Sequence, residues 1–224
     1  MGQAIGQILP LAVGVALSPL PIIAVVLMLV TPRARANGPA FVAGWLVGLA
    51  IVGAIVLIVA PGATSSSGAP ATWVDVLKLL LGLALLALAA KQWRGRPHGE
   101  DEPAVPKWMG AIDGFDAAKA FGAGALLSGL NPKNLLLAVA AATSIAQADL
   151  AGSDEAVAYL VFAVIGTVGV AAPVVIFFAM GDRAAGLLDR LKDWMGHNNA
   201  VIMAVLLLVI GAKLVGEAIS GFSA

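Results

Sequence analysis

Long, nearly uncharged apolar stretches constrain this chain more than any other feature. Six of them qualify as membrane spans: Ile5–Val30, Ala40–Ala60, Val74–Trp93, Ala117–Ala146, Ala156–Met180 and Asn199–Ile219. A helix needs roughly 20 mostly apolar residues to cross the hydrocarbon of a bilayer. The runs are continuous and lack the apolar–polar alternation of barrel strands. In lipid each backbone polar group must be satisfied within its own segment, which favours helix. Composition agrees. Charged residues make up 12% of the chain, against about 25% in soluble domains, and the mean hydropathy is +0.97. The expected fold class is all-α: a polytopic membrane protein with six transmembrane helices.

The charges lie between the runs. Thr31–Pro39 holds Arg33 and Arg35. The segment 94–116 holds Arg94, Arg96 and Lys107 beside His98, Glu100, Asp101 and Glu102, and its prolines and glycines predict a flexible loop with no core of its own. Gly181–Asn198 holds Arg183, Arg190 and Lys192. Pro61–Thr72 is uncharged, and Gln147–Glu155 carries only acidic charge. Basic loops face the cytoplasm, so both termini are expected outside, with loops 31–39, 94–116 and 181–198 cytoplasmic. Trp73, Trp93, Trp108 and Trp194 fall near span ends, as an interfacial aromatic belt does. The first run is longer than a signal-peptide core and is expected to be retained. A net charge of zero gives no basis for a nucleic-acid partner, and the absence of cysteine excludes disulfides and thiol chemistry.

The two halves resemble each other at an offset of 110 residues: Gly14, Leu17, Ser18 and Leu20 align with Gly124, Leu127, Ser128 and Leu130. Leu79–Gly82 resembles the apolar run that ends at Gly211. Three spans per half would invert the second copy, as in many secondary transporters. The expected organisation is a first three-helix repeat (1–93), a cytoplasmic linker (94–116) and a second, inverted repeat (117–224). Such folds carry their site near the midplane, where helices of both halves are broken.

Spans one and four fit that description. Ser18-Pro19-Leu20-Pro21 places two prolines in four residues, and each proline removes a backbone donor. Ser128-Gly129-Leu130-Asn131-Pro132-Lys133-Asn134 places four polar residues and a proline near the centre of span four. A lysine at a helix centre costs about 2.5–3.5 kcal/mol on the insertion scale, so it marks a wet cavity or an anion. Pro132 suits the first turn of a half-helix capped by Asn131. The expected substrate-binding and gating residues are therefore Ser18, Pro19, Pro21, Ser128, Asn131, Pro132, Lys133 and Asn134. Lys213 and Glu217, four apart on the last span, form a secondary polar pair, with Lys213 expected to snorkel outward. Asp75, Lys78 and Asp182 are expected at the interface. Pro173 predicts a further break in span five. Gly44 and Gly48 predict close helix approach, and packing is also the expectation for Gly166 and Gly169. Asp182–Met195 has the pattern of a short amphipathic surface helix, with an extension of span five as the alternative.

No catalytic constellation, phosphate loop or carboxylate–histidine cluster is visible, so the chain is not expected to be an enzyme or to need a cofactor or metal.

The motifs together resemble the lysine-exporter (LysE) superfamily, and within it the GAP branch of Sap-like glycopeptidolipid- and sulfolipid-addressing proteins of mycobacteria and relatives. The residues carrying the resemblance are Ala16-Leu17-Ser18-Pro19-Leu20-Pro21, Ser128 to Asn134, Ala90-Lys91-Gln92-Trp93-Arg94 and Ile210-Gly211-Ala212-Lys213-Leu214. The resemblance covers nearly the whole chain. It implies a bacterial cytoplasmic-membrane exporter that moves an anionic or zwitterionic small molecule, or a cell-envelope (glyco)lipid, by alternating access between spans one and four. The alternative it leaves is a non-transporting scaffold subunit of an envelope-lipid export machine. Expected partners are the small-molecule or lipid substrate, membrane lipids, and a second copy or that machinery.

Overall fold

The protein is described from a computed structural model that covers residues 1–59, 72–96, 107–148 and 150–222. The expectations for Pro61–Ala71, His98, Glu100, Asp101 and Glu102, and for the side chains of Trp73, Lys107, Trp108 and Asp182, lie outside the described residues. Among the described residues eight α-helices follow one another: α1 (Gly2–Ala16), α2 (Pro19–Leu29), α3 (Ala34–Val59), α4 (Thr72–Arg94), α5 (Ala117–Gly129), α6 (Pro132–Ala146), α7 (Gly152–Met180) and α8 (Ala185–Phe222). No strand occurs among the described residues.

Four of the helices, α3, α4, α7 and α8, are long and apolar enough to cross a membrane alone. The others form two bent pairs, α1–α2 at 49° and α5–α6 at 63°. Counting each pair as one span gives up to six. The outward surface has the character of lipid-facing helix: Ile55, Ile58, Leu80, Val164, Val175 and Leu208 are all more than half exposed. A soluble monomer rarely exposes contiguous apolar surface on this scale, and a bilayer is the solvent that suits it.

Small residues set the packing. α3 lies against α5, where the Cα of Gly44 meets the Phe121 carbonyl and the Cα of Gly124 meets the Phe41 carbonyl. α7 lies against α1, with Gly169 at the Ala16 carbonyl and Gly166 at Val15. Between α4 and α8 the contact is reciprocal. A Cβ on Gly82 would come 3.0 Å from the Gly211 carbonyl, and one on Gly211 would come 3.0 Å from that of Gly82. In lipid no hydrophobic drive pushes helices together, so close backbone approach supplies the dispersion and Cα–H···O contacts that do. The expectation that these glycines serve packing holds for all of Gly44, Gly48, Gly166 and Gly169. The space beyond them is filled by Phe41, Trp45 and Phe162, all fully buried, and by Tyr159, whose hydroxyl donates to the Leu49 carbonyl at 2.9 Å.

Several boundaries differ from the sequence expectations. α3 begins at Ala34, so much of the expected loop 31–39 is helical, with Pro39 inside the helix. α7 runs unbroken through Pro173. The expected break fails because the surrounding helical turns and packed neighbours tolerate one missing donor. Asp182–Met195 does not extend span five. A 3-10 turn at Gly181–Ala184, entered through Gly181 at φ 57°, ends α7, and the helix that follows, α8, continues through the last apolar run. The expected loop 181–198 is therefore largely the start of α8. With 38 residues, α8 is about 57 Å long, well beyond the roughly 30 Å hydrocarbon core. It is not the separate short surface helix expected: in its first turns Leu188 and Met195 are buried, Leu187 and Trp194 exposed, and Lys192 pairs with Asp189 at 2.9 Å. That hydrogen bond holds the Lys192 ammonium above its usual pKa.

The segment before α5 also has more structure than a plain loop. A 3-10 helix covers Lys107–Gly114 and buries Ile112 in the core. The amide of Asn37 on α3 donates to the Phe115 carbonyl at 3.0 Å. Asp116 then caps α5 by accepting from the Lys119 amide at 2.8 Å, a bond that keeps its carboxyl below the usual range.

Candidate functional site

The first break follows from its prolines. The Leu17 amide still closes α1 on the Val13 carbonyl at 2.9 Å. Ser18 then adopts an extended conformation, and Pro19 starts α2 as its first residue. Proline is favoured there because its missing N–H is one the first turn leaves unpaired anyway. Ser18 occupies the cap position, yet its hydroxyl makes no cap bond to α2.

The second break has the same form with added chemistry. Asn131 is extended and caps α6, accepting from the Lys133 amide at 3.1 Å. Pro132 is the first helical residue. Asn134 reaches back and donates to the Leu127 carbonyl at 3.0 Å. That bond occupies a carbonyl in the last turn of α5 that has lost its helical continuation.

The two breaks meet. The Lys133 ammonium donates to the Ser18 hydroxyl at 2.7 Å, and Ser18 donates to Asn134 Oδ1 at 2.8 Å. A polarised chain therefore runs from the Lys133 ammonium through Ser18 and Asn134 to the end of α5, and each bond strengthens the next in a low dielectric. Ser18, Lys133 and Asn134 are all buried, at 3%, 4% and 0% exposure. Among the described residues no carboxylate pairs with Lys133.

A cavity of about 210 Å³ opens beside this chain. The first turns of α2 and α6 form one side of it, through Ser18, Pro19, Leu20 and Pro21 and through Asn131, Pro132 and Lys133. Two helix N-termini thus face one space, each equivalent to about half a positive charge, together with a buried ammonium. The opposite wall is Leu88 and Gln92 of α4 with Asn199, Met203 and Leu207 of α8. The arrangement presents positive potential and hydrogen-bond donors at one side and, at the other, the apolar surface of Leu88, Met203 and Leu207 beside the amides of Gln92 and Asn199. It can hold an anionic group next to an apolar one.

The structure brings six of the eight expected site residues to the cavity: Ser18, Pro19, Pro21, Asn131, Pro132 and Lys133. Asn134 stands behind them as the partner of Ser18. Ser128 is elsewhere: it is fully buried, donates to the Ala125 carbonyl at 3.1 Å and faces Gly48. Lys213 and Glu217 do pair, at 2.6 Å, but at a distance from the cavity. Lys213 does not snorkel freely, because it donates to the Gln7 carbonyl of α1 at 2.8 Å. Lys78 and Asp75 are buried at 9% and 5% exposure rather than lying open at the interface. Lys78 joins Glu217 at 3.4 Å, and Asp75 packs on Gly221.

Residues 8–220 match the sequence model of a family described as Sap, sulfolipid-1-addressing protein. The chain belongs to the sulfolipid-1-addressing protein family. No curated protein matches it, and no solved structure does. The part shared with the sulfolipid-1-addressing family includes both breaks, all twelve cavity residues and the Lys213–Glu217 pair. It bears on the cavity wall that the motifs did not single out. Gln92 and Asn199 are the polar members of that wall, and nothing in their local sequence sets them apart. Gln92 stands within Ala90-Lys91-Gln92-Trp93-Arg94, one of the segments carrying the resemblance noted above, whereas Asn199 was visible only as the edge of an apolar run.

Proposed function

We propose that this protein exports an anionic amphiphile, a cell-envelope lipid with a negatively charged headgroup, by alternating access around the Lys133 cavity. One observation carries the reading. Lys133 is a buried ammonium whose hydrogen-bond partner is a neutral hydroxyl, at a point where two helix N-termini converge. Burying a cation is costly unless a partner offsets it, and an incoming anion supplies that partner. The name of the family points to a sulfated lipid as a substrate of the same class. The cavity, at about 210 Å³, is smaller than the roughly 300–1,000 Å³ of sites that enclose a drug-sized ligand. A headgroup-sized anion fits it, and the acyl chains would remain outside against apolar helix surface.

The matched breaks and the paired packing support an inverted three-plus-three repeat. α3 covers α5 as α7 covers α1, and α4 meets α8 reciprocally at Gly82 and Gly211. Such repeats work by rocking one unit against the other around a fixed site. The chain's own residues carry no bond-making chemistry in this reading: Lys133 attracts, Ser18 and Asn131 orient, and Pro19 and Pro132 keep the backbone open.

The test uses proteoliposomes loaded with a fluorescent sulfated glycolipid, with leaflet transfer followed by quenching from outside. The protein alone should move the sulfated lipid, and Lys133→Met should cut the rate about tenfold or more, roughly the loss of one charge-assisted contact. A neutral glycolipid should move slowly with either protein. Equal transfer by wild type and Lys133→Met would remove Lys133 from the site. No transfer by purified wild type would favour the scaffold-subunit alternative.

A further inference from the structure

The two ends of the molecule are closed differently. At one end the start of α1, the start of α4 and the end of α8 are tied by charge. Lys213 donates to the Gln7 carbonyl at 2.8 Å and pairs with Glu217 at 2.6 Å. The other oxygen of Glu217 lies 3.4 Å from Lys78. Here α1 also packs on both α6 and α8. At the other end α5 stands where α1 stands in the first half. It covers α3 as α1 covers α7, but among the described residues it makes no comparable packing on α2 or α4. The cavity wall extends toward that second end, through Leu88 and Gln92 late on α4 and Asn199 and Met203 early on α8.

The reciprocal contact of Gly82 and Gly211 gives the register of the two halves here. Lys213 and Glu217 lie two and six residues after Gly211. The corresponding positions after Gly82 are Ala84 and Leu88, neither of them charged. Among the described residues, the ionic tie therefore has no counterpart at these positions of α4. Partly buried ion networks of this kind contribute little net stability, because desolvation offsets attraction, and their best-attested use is to select one arrangement over another.

We propose that Lys213, held by Glu217, which Lys78 pairs with in turn, is a latch. Its bond to the Gln7 carbonyl keeps α1 on α6 and α8 and closes the cavity from the end where α1, α4 and α8 meet. Releasing that bond lets α1 move away and opens the Lys133 cavity at that end while the other end closes. The latch rests on the alternating-access reading above and adds to it the groups that hold one of its two states. A charged latch suits this task because each of its groups gains water when it opens, so the open arrangement is not penalised by bare apolar surface.

The chain has no cysteine, which permits single reporters. Ala4→Cys sits one turn before Gln7, at a position 1% exposed. Asn199→Cys sits on the cavity wall toward the other end. Each is labelled with a hydrophilic maleimide in nanodiscs, where both faces of the protein are reachable. In the otherwise native chain Asn199→Cys should label fast and Ala4→Cys slowly. Adding Lys213→Met should raise the Ala4→Cys rate and lower the Asn199→Cys rate, each about tenfold, as labelling follows the open population. Lys213→Arg should leave both rates near native. Unchanged rates with Lys213→Met overturn the latch. A faster Ala4→Cys with an unchanged Asn199→Cys overturns it too, since local fraying gives that pattern. Should Lys213→Met fail to fold, Glu217→Gln is judged by the same two rates. No transported lipid is needed for these readings. A failure of lipid transfer with reciprocal labelling intact would discard the exporter reading alone, and the converse result would discard the latch alone.

Discussion

Set side by side, the two helix breaks share a backbone design and differ in chemistry. Each has an extended residue followed by proline as the first residue of the next half-helix. Each is backed by a glycine of a helix from the other half of the chain: Gly169 of α7 lies against the Ala16 carbonyl, and Gly48 of α3 lies against Ala125 and Ser128. The difference lies in what the cap residue does. Asn131 satisfies its own helix, whereas Ser18 leaves its helix uncapped and spends its hydroxyl on Lys133 and Asn134 of the other half. The first break thus receives a hydrogen bond from the one charged side chain, Lys133, which belongs to the second.

The largest effect that tests this comparison is on the shared design. Gly169→Val and Gly48→Val each place a side chain against a neighbouring backbone carbonyl. Each should destabilise the protein by about 1–3 kcal/mol or more, the usual range for overpacking. The measurement is thermal unfolding in detergent micelles. If only one of the two is harmful, the breaks are not braced alike.

A smaller effect isolates the chemistry that crosses between the halves. Ser18→Ala and Asn134→Leu each leave a buried partner unsatisfied, at about 1–3 kcal/mol apiece. Because they remove the same bond, the double variant should fall short of the sum by about 0.5–3 kcal/mol. Strict additivity would mean that Ser18 and Asn134 are not joined by that bond. The smallest expected effect is Asn131→Ala, which removes a helix cap worth about 1 kcal/mol. It should lower thermal stability without the coupling to Asn134→Leu that Ser18→Ala shows. Strong coupling there would mean that both cap residues serve the network and that the asymmetry between the breaks is lost.

Much of this was legible in the sequence. Apolar runs of span length announced the helices, since a run of that length has few alternatives to a membrane. Two prolines in four residues, and a proline beside Asn131 and Lys133, announced the breaks. Repetition of small residues at Gly44, Gly48, Gly166 and Gly169 announced close packing. The errors have a common origin. Pro173 and Pro39 carry the same local signal as Pro19, yet helix continues through both, because neighbouring turns and packing, not the proline alone, decide whether a chain breaks. Lys213 was expected to reach outward because its partner on α1 is a backbone carbonyl, which no side-chain pattern records. Ser128 aligns with Ser18 at the 110-residue offset but turns toward Gly48 and its own helix.

The sequence by itself determined the solvent of this protein, its helical class and the places where two spans break. Hydrophobicity and proline act over a few residues and need no partner to be read. Only the tertiary structure decided that Ser18 and Lys133, 115 positions apart, share a hydrogen bond, that α4 and α8 close the far wall of the cavity, and that Lys213 ties the last helix to the first. Those are contacts between spans, and in a bilayer they are set by backbone approach and polar geometry, not by a hydrophobic pattern that every span shares.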